Sequence, residues 1–135
     1  MAAPNIVNVA TITGITTYRA GLSTAGSGDG FKTGVTTIVS NAAGSNKVLK
    51  INNLSAAAIG TTTGVSIFYH NNALATSAIS TVSIARTVSV PTFSTLIAIS
   101  KENSFYLEEN TCITAVTQSN TAGNIDIICS YEEIS

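Results

Sequence analysis

Apolar β-branched residues alternate with small polar residues along most of this chain, whereas helical spacing is scarce. The clearest case is residues 78–90, where Val82, Ile84, Val88 and Val90 occupy even positions and mostly Ser, Ala and Thr occupy the odd ones. A period of two places the apolar side chains on one face of a strand. About eight short segments of this kind are separated by turn residues. The pattern predicts an all-β fold, a sandwich or a small barrel, without the crossover helices of a parallel α/β protein.

We therefore predict one domain over residues 1–135, an antiparallel β-sandwich of jelly-roll or immunoglobulin-like type. Residues 5–12 carry apolar side chains on both faces, which predicts an N-terminal arm or edge strand within residues 1–12. Residues 20–34 hold five of the ten glycines and are predicted to form a loop. Residues 55–64 are also predicted as a loop. The predicted strands cover residues 5–12, 35–40, 47–54, 64–70, 78–90, 92–100, 105–107, 111–118 and 124–131.

The surface of such a domain must interact with water largely through uncharged polar side chains. Hydrophobic residues make up 44% of the chain and charged residues 10%, whereas 20 Thr, 16 Ser and 12 Asn supply neutral polar groups. Six basic and seven acidic residues give no cationic field, which argues against nucleic acid as a partner. No apolar run reaches the roughly 18 residues of a membrane span, and the N-terminus lacks the features of a secretory signal. Asp29 is the only acid in the first hundred residues, so we expect packing against other chains there.

Two cysteines are too few for a disulfide scaffold or a four-ligand zinc site. If residues 111–118 and 124–131 form a hairpin that turns at residues 119–122, Cys112 lies opposite Cys129 and Val116 opposite Ile125. Two buried reduced thiols are the favoured interpretation, because free cysteine behaves as a small hydrophobic residue. A cross-strand disulfide is the alternative.

No group of residues predicts catalysis, a cofactor or a metal. The glycine-rich stretch 26–33 lacks the contiguous Gly-Lys-Ser/Thr and the following helix of a phosphate-binding loop. His70, the single histidine, has no predicted nucleophile or carboxylate partner and is predicted to lie on a surface turn. The glutamate pairs 108–109 and 132–133 are adjacent along extended segments, so their side chains diverge and do not converge as catalytic carboxylates do.

Three blocks resemble a family of small virion structural proteins of tailed bacteriophages, especially phages of marine bacteria and cyanobacteria. They are MAAPNIVNVATITGITT (1–17), SNKVLKINNL (45–54) and ARTVSVPTFSTLIAISKENSFYLEEN (85–110), which continues through TCITAV to NIDIICSYEEIS (124–135). Together they cover over half of the chain. The family usually has glycine after the paired glutamates, where this chain has Asn110, which also tolerates a left-handed turn. The loop 20–34 is longer than in the family.

The resemblance implies a non-enzymatic virion protein that assembles in the bacterial host cytoplasm. We expect an accessory protein that decorates or cements the capsid as a homo-oligomer, for instance a trimer, with other virion proteins as partners. A neck, tail or fibre component that recognises a virion or host ligand through loops 20–34, 55–64 and 70–77 is the alternative. Ile6, Val7 and Val9 are predicted to augment a neighbouring sheet. Tyr69 and Phe93 are further interface candidates.

Overall fold

The strands assemble into two antiparallel sheets. The computed structural model of the chain describes residues 8–22, 35–72, 81–117 and 125–135. A 3-10 turn, Lys101–Asn103, separates the sixth strand from the seventh. The nine strands within these ranges are β1 Ile12–Leu22, β2 Thr36–Asn41, β3 Val48–Ala58, β4 Thr63–His70, β5 Thr81–Val90, β6 Thr95–Ile99, β7 Phe105–Leu107, β8 Thr111–Thr117 and β9 Ile125–Ile134.

The strand order is that of a jelly roll. The five-stranded sheet runs β1-β9-β3-β6, with β7 also paired to β3, and the four-stranded sheet runs β2-β8-β4-β5. The first strand thus pairs with the last, the second with the penultimate, the third with β6 and β7, and the fourth with the fifth. A long antiparallel ribbon rolled into two sheets has this pairing. The predicted all-β sandwich is confirmed, and of the two predicted types it is the jelly roll.

The core lies between the two sheets. Its side chains alternate along the strands, as a buried inner face requires. The five-stranded sheet contributes Leu49, Ile51, Leu54, Ile99, Leu107, Ile125 and Ile127, and the four-stranded sheet contributes Ile38, Val39, Val65, Ile67, Val90 and Ile113.

A buried asparagine links the two sheets at one corner. The Asn41 side chain, 3% exposed, ends β2. Its Nδ2 donates to the carbonyl oxygens of Lys47, at 2.9 Å, and Leu107, at 3.1 Å, and its Oδ1 accepts from the Ser45 hydroxyl at 2.7 Å. Nearby, Asn110 adopts the expected left-handed conformation, with φ 62°. This corner fixes the connection between β2 and β3 against the end of β7.

The predicted hairpin of residues 111–118 and 124–131 is wrong. Both segments are strands, but β8 pairs with β2 and β4, whereas β9 pairs with β1 and β3 in the other sheet. Cys112 therefore lies opposite Ser40 and His70, and Val116 opposite Ser66, instead of opposite Cys129 and Ile125. Adjacency along the chain suggested the hairpin, but in a jelly roll these two segments cross between sheets.

Several strand boundaries also differ from prediction. The described part of the predicted strand 5–12 is not a strand before Ile12, although the Ala10 and Thr11 amides both donate to the Ser135 carbonyl. Strand β1 continues to Leu22, inside the predicted loop 20–34, whose residues 23–34 lie outside the described ranges. Strand β3 extends to Ala58, into the predicted loop 55–64, because cross-strand partners on both sides outweigh the low strand preference of alanine.

Candidate interaction surface

The exposed large apolar side chains of the described residues concentrate on one side of the sandwich. Five of the eight belong to the five-stranded sheet, and their positions alternate with inward-facing residues, so they point outward. Two more belong to the turns that follow β3 and precede β6. Only Val82 belongs to the four-stranded sheet. The first five are Ile12, Tyr18, Ile97, Tyr106 and Ile128, and the two turn residues are Ile59 and Phe93.

Four outward-facing residues form a line across the five-stranded sheet, which we call the outer row. Tyr18 of β1 is opposite Ile128 of β9, Ile128 is opposite Ser55 of β3, and Ser55 is opposite Ile97 of β6. Tyr18 is 69% exposed, Ile128 44% and Ile97 64%. The order of side-chain size across the sheet is therefore aromatic, aliphatic, small, aliphatic.

Charged side chains beside the outer row are paired. Lys50 lies 3.9 Å from Glu132, its cross-strand neighbour on the same outer face. On the other side of the row, Asp126 accepts a hydrogen bond from the Gly21 amide at 2.8 Å. Nearest to the row, the Thr16 and Ser130 hydroxyls are hydrogen-bonded at 3.1 Å. The surface surrounding the row is accordingly polar; Lys50 and Glu132 compensate each other's charge, whereas Asp126 is hydrogen-bonded and keeps its negative charge.

The glutamate pair 132–133 lies in a strand, and its two side chains have different partners. Whereas Glu132 pairs with Lys50, Glu133 pairs with Lys47 at 2.6 Å. Glu109 accepts hydrogen bonds from the amides of Gly44, at 3.2 Å, and Asn46, at 2.7 Å. These carboxylates therefore secure strands and turns.

Phe93 occupies a strained turn at the end of the same sheet. Its φ is 59°, in the left-handed region that is an outlier for a bulky residue, and its side chain is 85% exposed. Hydrogen bonds hold this conformation: the Phe93 amide donates to Ala58 at 3.0 Å, and the Ser94 amide and hydroxyl donate to the Pro91 carbonyl at 3.1 and 2.6 Å. The backbone thus holds an aromatic side chain in solvent. Phe93 precedes Thr95 and Ile97, which are exposed at alternate positions, so the turn is continuous with the outer row.

His70 is buried, and its predicted place on a surface turn is wrong. It is the last residue of β4 and has no exposed surface. Its Nε2 lies 2.7 Å from the Thr114 hydroxyl and its Nδ1 lies 3.0 Å from the Thr81 hydroxyl. Burial lowers the pKa of this imidazole below 6.5. The Asn-Asn that follows it does mark the end of the strand, but the histidine itself belongs to the sheet.

Both cysteines are free and buried, as the favoured prediction has it. Cys129 faces the core of the sandwich, and burial raises the pKa of its thiol to about 12. The thiolate is the reactive form of cysteine, so this side chain is chemically inert in the folded protein.

The sequence-predicted interface residues have different surroundings. Ile6 and Val7 lie outside the described residues, and Val9 is half-buried ahead of β1. Tyr69 is on the inner face of β4, packs against the core and contacts Phe105 edge-on at 6.3 Å between ring centroids. Of the three that the structure describes, Phe93 is the one that is strongly exposed.

Sequence reasoning missed the outer row. Its members come from four strands, and only their register places them side by side. Alternation identified the individual strands, but it could not show which face would be covered within the molecule.

Comparison of the chain with protein-family models, with curated proteins and with solved structures gave no match. Among the described residues there is no group of three His, Cys, Asp or Glu side chains placed to hold a metal ion, and no surface pocket. The same residues contain no helix of the length and hydropathy that would cross a membrane.

Proposed function

We propose that this chain is a non-enzymatic structural protein of a bacteriophage virion, an accessory protein that assembles as an oligomer and decorates or cements the capsid. The observation that carries the proposal is the one-sided distribution of exposed apolar side chains. Among the described residues, seven of the eight large ones lie on the five-stranded sheet or in the turns at its end. An apolar patch with a polar surround is typical of a surface that another protein covers.

The chemistry of the remaining surface supports an assembly role. With 10% charged residues, the chain relies on Thr, Ser and Asn hydroxyl and amide groups for solubility. Such groups form hydrogen bonds at the rim of an interface and carry no charge to desolvate. Jelly rolls are also common in viral capsid proteins, an analogy of fold that supports the proposal without assigning a position on the particle.

Counting copies on purified virions tests the proposal. Quantitative mass spectrometry of virions from the phage that encodes the chain should give hundreds of copies per particle for a decoration protein, since it follows the symmetry of the shell. About a dozen or fewer would indicate the neck, tail or fibre alternative. Absence of the chain from purified virions, with the capsid protein detected, would refute a virion role.

The N-terminal arm has its own test. Removing residues 1–9 leaves the Ala10 and Thr11 hydrogen bonds to Ser135 in place, whereas removing residues 1–12 would also shorten β1. If the arm augments a neighbouring sheet, the shorter deletion should reduce occupancy on particles while the melting temperature of the domain stays unchanged. Equal occupancy of the deleted and complete chains would exclude the arm mechanism and leave the sheet face as the contact.

A further inference from the structure

When the outer row is reversed, its two central positions are complementary in size, large against small, whereas each end brings two large apolar side chains together. Read from β1 to β6 it runs Tyr18, Ile128, Ser55, Ile97. Reversed, the same row places an isoleucine against the tyrosine and the small serine against Ile128. Two packed sheets interdigitate in this way, large side chains entering the spaces above small ones, at a separation of about 10 Å.

We infer that the outer face of the five-stranded sheet pairs with the same face of a second copy of this chain. The two-fold axis lies in the interface and runs along the strands, because this direction reverses the row. Tyr18 of each copy then packs against Ile97 of the other, and Ile128 packs against Ser55. The contact is isologous, with the same surface used on both chains.

The size of the surface fits this partner. A standard interface buries about 800 Å² on each partner, and the apolar share of homodimer interfaces is about 65%. Aromatic side chains bury about 150–250 Å² each. With their observed exposures, Tyr18, Ile97, Ile128 and the adjoining Phe93 supply about 500 Å², which is the apolar share that such an interface needs.

The charges also favour a second copy over a charged partner. The row itself carries no charge, and the flanking Lys50 and Asp126 are already engaged by Glu132 and the Gly21 amide. The Lys50–Glu132 pair is neutral, so the net charge that these flanking groups bring to each face is that of Asp126. Nucleic acid or an anionic membrane would require several unpaired basic side chains on the face.

The experiment measures self-association of the complete chain by sedimentation equilibrium between about 1 and 100 µM, a range that covers the usual transient dimers. We expect a species of twice the 13.8 kDa chain mass. Tyr18→Lys and Ile97→Glu should each weaken the dimer by about 30-fold or more, because each places a charge against an apolar side chain of the second copy. Both side chains are well exposed, so each variant should fold, which circular dichroism checks. The matched control is Val82→Lys, 59% exposed on the other sheet, which should leave the dimer unchanged.

The double variant Tyr18→Lys with Ile97→Glu tests the direction of the axis. Within one chain the two positions are three strand spacings apart, roughly 14 Å, so they cannot pair with each other. Across the proposed interface each lysine meets the glutamate of the second copy, and the double variant should recover about tenfold or more of the lost affinity in low salt. An axis running across the strands would bring lysine to lysine, and the double variant would then stay monomeric.

The inference would be overturned if the wild-type chain is a monomer or a trimer at 100 µM. It would also be overturned if Val82→Lys weakens the dimer as much as Tyr18→Lys does. This pairing does not depend on the virion role. A dimer whose chain is absent from virions would refute the proposed function alone, whereas virions rich in a chain that is monomeric in solution would refute the pairing alone.

Discussion

His70 makes the stability of this domain depend on pH. The imidazole has no exposed surface and contacts two hydroxyl groups, those of Thr81 and Thr114. Burial removes the water that would stabilise the imidazolium, so folding favours the neutral form of His70 and lowers its pKa from 6.5. The unfolded chain keeps the ordinary pKa. Below pH 6.5 the unfolded state therefore binds more protons than the folded state.

The sign and size of the effect follow from this difference. Because protons favour the unfolded chain, the free energy of unfolding falls as the pH drops below 6.5. One proton contributes at most about 1.4 kcal/mol per pH unit, so a histidine that stays neutral when folded costs up to about 1.4 kcal/mol at pH 5.5. In a domain of this size that loss lowers the melting temperature by about 4–6 °C. The loss of stability is complete once the pH falls below the pKa that His70 has in the folded protein.

Urea denaturation at pH 8.0, 6.5 and 5.5 measures this dependence for the wild type and for His70→Gln. The chain has a single histidine, so the variant removes every imidazole. Glutamine retains hydrogen-bonding groups for Thr114 and does not titrate. The variant is expected to be less stable than the wild type at pH 8.0 but to lose less of its stability between pH 6.5 and 5.5. If both proteins lose the same free energy over that interval, the proposed role of His70 is wrong.

Three further predictions concern strain, thiol reactivity and the corner between the sheets. At Phe93 the left-handed backbone conformation costs any residue with a side chain about 1–2 kcal/mol. Chemical denaturation should therefore show Phe93→Gly to be about 0.5–1 kcal/mol more stable than Phe93→Ala. If the alanine variant is the more stable of the two, the turn is not strained. Thiol titration at pH 8 should detect little reaction of Cys129 in the native protein. After unfolding without reductant it should detect two thiols per chain. Rapid labelling of Cys129 in the native protein would contradict its burial. Asn41→Ala should lower the free energy of unfolding by about 2–3 kcal/mol, because the carbonyls of Lys47 and Leu107 lose their hydrogen-bond donor. The control Asn8→Ala changes an exposed side chain and should lower it by less than about 0.5 kcal/mol. Similar small losses in both variants would mean that the Asn41 corner is not important for stability.

The strands that could be predicted are those with a clear alternation of apolar and polar residues or a residue that ends a strand. Strand β3 begins with an alternation of core and outward residues, and Pro91 ends β5 because proline cannot donate to a ladder. Strand β1 shows no such alternation in its sequence. It lies at the edge of its sheet and its side chains are mostly exposed, so Thr and Gly replace the apolar residues that alternation depends on.

Pairing was harder to predict than strand position. A hairpin is suggested by two strands and a short polar segment between them, and residues 111–131 meet that description. The actual partners of β8 are β2 and β4, which lie about 40 to 80 residues away along the chain. Their preference for β8 arises from inward-facing side chains that meet in the core, and no local sequence signal carries that information. The same limitation hid the outer row.

The position of β9 connects the outer row to the completion of folding. This last strand lies between β1 and β3, so the five-stranded sheet cannot form its central ladders until residues 125–134 are in place. Ile128 of β9 is also the residue that joins Tyr18 to Ser55 in the outer row. A chain that has not yet docked β9 therefore has neither the core of this sheet nor a continuous outer row. Because the row exists only in the completed fold, a partner that recognises it discriminates against incompletely folded copies.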